Sequence, residues 1–231
     1  MKHKQEWLLG YILTICGALI LVHWGSQTVT VVSEHMPMPR QQCIVIDAGH
    51  GGIDGGATSC TGRLESSYNL EISLRLRDFL HFLGYDTKMI RTRDESIHLE
   101  GKTIRQQKRS DLRERVKAVN ETDSGILISI HQNLFSEPRY FGAQAFYADT
   151  PGSKELAERL QEKLSSYLIP RSHREVKKCQ GVYLMEHIQR TGILLECGFI
   201  SNPQEEARLA EPAYQKQLCC VIGSALHDFT G

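Results

Sequence analysis

The chain has no surplus of charge of either sign: 27 Lys plus Arg stand against 27 Asp plus Glu. That balance gives no argument for a nucleic-acid binder. It also has no Cys-x-x-Cys pair. Its seven cysteines are odd in number and widely spaced, which argues against a disulfide framework or a zinc ribbon. Adjacent Cys219 and Cys220 fall inside a helical pattern and read as buried packing residues. Internal repeats and low-complexity segments are absent too. What is left is ordinary globular composition: 231 residues, 41% hydrophobic and 23% charged, suiting one domain plus an N-terminal extra.

That extra reads as a targeting signal. Lys2 and Lys4 precede an apolar run from Trp7 to about Trp24. At ~1.5 Å per helical residue the run nearly spans a bilayer core of ~30 Å. The leading lysines favour an inside N-terminus. No small-x-small cleavage site follows, so a retained signal anchor over 1–24 is favoured over a cleaved signal peptide. Residues 25–41, with Pro37 and Pro39, read as a linker, and the folded domain as 42–231.

Within that domain short apolar runs alternate with longer amphipathic ones. Strands are expected at Cys43–Asp47, Tyr85–Thr92, Gly125–His131, Gly142–Tyr147, Val182–Met185 and Thr191–Glu196. Helices are expected at Ser66–Leu83, Ser110–Glu121, Ser153–Leu168 and from about Ala213 to Phe229, each with apolar residues in helical register. Asn202, Pro203 and Glu205 mark a further helix start. Such alternation predicts an α/β fold: a single domain with a twisted, largely parallel or mixed sheet flanked by helices.

Polar residues sit where such a sheet binds ligands, at the carboxyl ends of strands. His50 follows the first strand in DAGHGGIDGG, His131 ends GILISIH, and Glu196 ends GILLE. Glu65 lies on the same strand-to-helix connection as His50. Taken singly, each has a bland reading: a structural histidine, a helix N-terminal charge, a Gly-rich turn. The Gly-rich stretch lacks the Lys-Ser/Thr of a P-loop and the dinucleotide glycine pattern. Together, His50, Glu65 and His131 would form a His₂Glu zinc set with an open position for water, and Glu196 would stand beside that water.

VIDAGHGGIDGGA, an acidic residue before the first helix, ISIHQN and LLECGFISNPQE occur in this order. As a set they resemble the zinc N-acetylmuramoyl-L-alanine amidases of bacterial cell walls, over about residues 43–229. The resemblance implies zinc held by His50, Glu65 and His131, with Glu196 catalytic. Glu65 is chosen over nearby Glu71 because it directly precedes the helix. RSDLRERVKAVN, FGAQAFY and GVYLMEH are similar to the spore-cortex, germination-specific members. That likeness implies removal of stem peptides from muramic acid, after which a deacetylase completes muramic δ-lactam. It also implies action outside the cytoplasm, at the forespore intermembrane space or cell wall; from the N-terminal apolar run the protein is expected to be membrane-anchored or secreted.

Other readings stay open: a vegetative autolysin or cell-separation amidase, a zinc carboxypeptidase, or an inactive wall-binding or regulatory module. Two basic stretches, Lys102–Arg115 and Pro170–Lys178, read first as solvated faces. Holding stem-peptide carboxylates or docking a sporulation partner are the alternatives. Asn133 reads either as a group that supports the site or as a turn residue. His98, His173, His187 and His227 read as surface or structural histidines, and Cys197 as packing.

Overall fold

The computed structural model describes residues 42–170 and 172–231. The expected signal anchor, linker and membrane attachment lie outside them. Among the described residues no helix is long and apolar enough to cross a membrane.

The run Cys43–Ala48, buried from Ile44 onward, forms β1. It is followed by α1 (Glu65–Phe82), β2 (Asp86–Met89), α2 (Ile104–Asn120) and β3 (Ile126–Asn133). Next come β4 (Gln144–Tyr147), α3 (Ser153–Lys163), β5 (Lys177–Lys178) and α4 (Tyr183–His187). The chain ends with β6 (Thr191–Phe199), α5 (Pro203–Ala210) and α6 (Pro212–Thr230). The six strands make one sheet in the order β2-β1-β3-β6-β4-β5. β2, β1, β3 and β6 run parallel, while β4 is antiparallel to β6. The sheet is therefore mixed, as expected.

Strand residues alternate between two cores, because successive side chains leave a strand on opposite faces. Ile44, Ile46, Ile126, Ile128, Ile193 and Leu195 pack with Ile72, Leu76, Leu156, Leu160, Leu218 and Ile222 of α1, α3 and α6. Val45, Leu127 and Leu194 pack on the other face with Val119 of α2 and Leu184, Met185 and Ile188 around α4. Helices on both faces explain the near-continuous apolar runs of β1, β3 and β6.

Several local expectations are corrected. Val182–Met185 was expected as a strand, but Tyr183–His187 is a short helix that places Leu184 and Met185 in the second core. A short apolar run is compatible with either element. The edge strand in this part of the sheet is Lys177–Lys178, exposed and without apolar signal. α2 starts at Ile104 rather than Ser110, held by a capping box between Thr103 and Gln106. The expected helix 153–168 is α-helical to Lys163 and closes in a π-helical turn at Leu164–Leu168. Cys219 is buried, but Cys220 points to solvent.

Candidate metal centre

The carboxyl ends of β1, β3 and β6 lie side by side, and His131 is directly paired with Glu196 across β3 and β6. His50 sits just past β1, and Glu65 is the first residue of α1. One ligand atom from each of His50, Glu65 and His131 lies within 4.8 Å of the other two. Glu65 Oε2 is 3.3 Å from His50 Nε2, and Glu65 Oε1 is 3.1 Å from His131 Nδ1. Glu71 takes no part: it pairs with Arg63 at 2.5 Å. Among the described residues this is the one cluster of His, Cys, Asp and Glu with metal-ligand geometry.

The surroundings fit a cation. His50 Nδ1 donates to Asp54 Oδ2 at 2.9 Å, the orientation in which Nε2 would be the atom offered to a cation. Lys108 of α2 holds the other Asp54 oxygen at 2.8 Å. Glu65 accepts from Ala57 N (2.9 Å), Gln132 N (3.2 Å) and Asn69 Nδ2 (3.3 Å), so its carboxylate is aimed before any ion arrives. Burial alone would raise the Glu65 pKa, yet His131 and His50 outweigh it and keep the group ionised. Two glycines complete the cradle. A Cβ on Gly49 would collide with the His131 ring, and one on Gly56 would lie 2.6 Å from Glu65 Oε2.

Glu196 completes the edge of the cluster. It lines a cavity of about 350 Å³ together with His50 and His131. Its Oε2 is buried without a hydrogen-bond partner among the described residues. Burial pushes its pKa up to about 7; His131 opposes this and Glu65 adds to it. A buried carboxylate that titrates near neutrality is suited to proton transfer. Next to it, Cys197 leaves the strand on the opposite face, fully buried in the first core. Burial, and then Glu196, raise that thiol far above its ordinary range, so it stays protonated.

Sequence reasoning missed the support beneath His50, a non-glycine residue with φ of 61°. Arg115, only 2% exposed, donates to the backbone carbonyls of His50 (2.7 Å) and Ala48 (3.1 Å). Asp47 and Asp111 pair with it at 2.5 and 2.6 Å. Arg91 donates to the carbonyls of Ala48, Gly49 and Ser66. These two guanidiniums pin the loop in a conformation that costs backbone energy. We therefore expect Arg115→Met to cost about 3–5 kcal/mol, because it leaves Asp47 buried without its countercharge and with only the Ser129 hydroxyl as side-chain donor among the described residues. Urea unfolding measures this, and an unchanged midpoint would show the pair to be dispensable.

Asn133, read as either a site or a turn residue, ends β3 as a strand residue whose carbonyl accepts from Ile200 N at 2.9 Å. His98, His173, His187 and His227 lie outside the cluster.

Two histidines and a glutamate around one point, beside an unpaired buried carboxylate, are the donor chemistry of metal-dependent hydrolases. The chain belongs to the N-acetylmuramoyl-L-alanine amidase family called Amidase_3, whose profile it matches over residues 44–228. It is 34% identical to the germination-specific N-acetylmuramoyl-L-alanine amidase of Bacillus subtilis, over 96% of this chain and 93% of that protein. The N-acetylmuramoyl-L-alanine amidase LytC of the same organism is 29% identical over 82% of this chain and 35% of its own length. Among solved structures, the CwlD amidase from Clostridioides difficile, in complex with the GerS lipoprotein, superposes with a TM-score of 0.77. That match has 34% identity and covers 81% of this chain and 97% of the other.

Proposed function

We propose that the chain is a zinc-dependent amidase that cuts the bond between N-acetylmuramic acid and L-alanine in spore-cortex peptidoglycan. The observation that carries this is the converging His50, Glu65 and His131, with the unpaired Glu196 carboxylate in the same cavity. Zn²⁺ held by the three ligands supplies Lewis acidity, which eases loss of a proton from water and stabilises negative charge on a carbonyl oxygen. The chain's own residues do the rest. Glu196 accepts the proton of the attacking water and returns it to the leaving amine. Asp54 and Arg115 hold His50 in place, the first through the ring and the second through the backbone. Leu184 and Leu194 wall the cavity and limit water around the reacting groups. Cys197, protonated on the far face, is not placed to attack the carbonyl, and the water beside Glu196 is the nucleophile in this reading. Digestion of purified peptidoglycan followed by mass analysis tests the reaction. An amidase releases an intact stem peptide with a free L-alanine amino terminus, whereas cleavage inside the stem would make the chain a carboxypeptidase.

The cortex assignment rests on end-to-end similarity to the germination-specific relative. Action outside the cytoplasm and membrane attachment through the N-terminal segment belong to the same reading, as does a downstream deacetylase. So does a lipoprotein partner of the kind bound to the CwlD relative. Spores of a strain lacking the gene are expected to have a cortex without muramic δ-lactam, measured by muropeptide analysis. Normal δ-lactam there would reject the cortex role and leave the amidase chemistry standing.

A further inference from the structure

Four of the exposed large hydrophobic residues, Leu134, Phe135, Tyr140 and Phe141, lie on the connection from β3 to β4. Tyr140 and Phe141 face the segment 172–177 across a groove of about 580 Å³. The groove's position in the sheet is what matters. The order β1-β3-β6-β4 lines up His50, His131, Glu196 and then Gln144, which is directly opposite Glu196 and lines the groove. Strands are ~4.8 Å apart, so the groove opens roughly 10 Å from the His131 strand. An extended peptide covers that span in about three residues at ~3.3 Å each.

Its chemistry suits an anion. Arg139, Arg174 and Lys177 line it, against the single carboxylate Glu175. Arg139 is already paired with Glu137 at 2.7 Å, so Arg174 and Lys177 supply the field. Arg174 is held rigid. Its Nε donates to Phe141 O at 3.2 Å, its Nη1 to Gln144 Oε1 at 3.3 Å, and its guanidinium lies 4.6 Å from the Phe199 ring centre. A planar fork fixed in this way loses little freedom when it binds a carboxylate. Ser172 lies beside Arg174 and Lys177, its Oγ buried against Gly142 rather than open to the groove, so the two cations are the groups left free to meet an anion.

We infer that this groove is the subsite for the peptide arm of the substrate. It takes a free carboxylate about three residues beyond the scissile amide, and Arg174 and Lys177 determine specificity. The inference rests on the amidase reading. A neutral glycan would use the aromatic rings and leave the cations idle, so charge dependence separates the two occupants.

The test uses the full chain in mild detergent with zinc and two muropeptides: one with free stem carboxylates, the other with those carboxylates amidated. Arg174→Gln should raise KM for the free acid about tenfold or more, as expected for a lost hydrogen bond to a charged group. For the amidated substrate KM should barely move, and kcat should stay within about twofold for both. Arg174→Lys should recover part of the loss. An equal rise for both substrates, a fall in kcat alone, or no change overturns the subsite. If Arg174→Gln melts early, Lys177→Gln on the exposed strand β5 takes its place, with the same selectivity expected. If the wild type cleaves neither muropeptide, the amidase reading fails, and the subsite is judged by calorimetry with the free stem tripeptide and its amide. Charge-selective binding that Arg174→Gln abolishes upholds it, and binding indifferent to charge overturns it.

Discussion

Glu196→Gln should lower turnover by at least about a hundredfold while zinc content and melting temperature stay near wild type. General acid–base help is typically worth ~10²–10⁴-fold. The amide keeps the size and reach of the carboxylate but cannot take a proton from water. The fold should tolerate the lost charge, because Glu196 Oε2 makes no hydrogen bond among the described residues and burial outweighs the attraction of His131. Removing a buried carboxylate that burial has already destabilised should, if anything, stabilise the protein. The wild-type pH profile follows from the same group. Burial raises the Glu196 pKa to about 7 without a cation, and a cation nearby favours the ionised form and lowers it. The acidic limb of turnover should therefore lie at or below about pH 7, with activity falling as Glu196 takes up its proton. That limb should vanish in the Gln variant. An active Gln variant would remove Glu196 from the reaction; an inactive, zinc-free one would move it onto the metal.

Three of the four proposed site residues were legible because each closes or opens a run with a strong pattern of its own; His50 was legible from the Gly-rich loop just past β1. His131 and Glu196 close apolar runs rich in β-branched and aliphatic residues that read as buried strands, and Glu65 opens a helix whose apolar stripe starts at once. The support beneath them was not legible. Arg115 sits in a basic stretch that reads as a solvated face, yet it is buried because Asp47 and Asp111 neutralise it and two backbone carbonyls satisfy its donors. Spacing reveals only the Asp111 partner, four residues back on the same helix; Asp47 comes from β1. Asp54 had a local signal, four residues after His50, but a Gly-rich loop has no period from which to place its side chain. The same limit governs the short elements. β5 is two exposed lysines that become a strand only because β4 offers an edge, and α2 begins with two polar turns fixed by a cap rather than by an apolar stripe.

His131→Ala should abolish zinc retention while the domain stays folded. In the proposed centre the ring would supply one of three protein donors, and the remaining two would leave an ion open to water. Losing a partner that merely orients a ligand costs ~10–100-fold in metal affinity, so losing a donor should cost at least about a hundredfold. The fold should survive because Glu65 keeps its other contacts. Ala57 N, Gln132 N and Asn69 Nδ2 still hold its carboxylate, and His50 still lies 3.3 Å from it. Gly49, which the ring now crowds, gains space rather than losing a partner. Two measurements on one preparation decide the matter. Metal analysis after dialysis against a weak chelator should find zinc in the wild type and in Glu196→Gln, and none in His131→Ala. In thermal melts, added zinc should raise the wild-type midpoint, since a ligand at about 100 times its Kd adds ~2.7 kcal/mol to the folded state. The His131→Ala midpoint should not respond. Full zinc retention in that variant, with hydrolysis unchanged, would take His131 out of the ligand set and leave His50 and Glu65 to find a third donor elsewhere. A zinc-free variant with an intact melt would separate metal binding from folding and fix His131 as a ligand rather than a core residue.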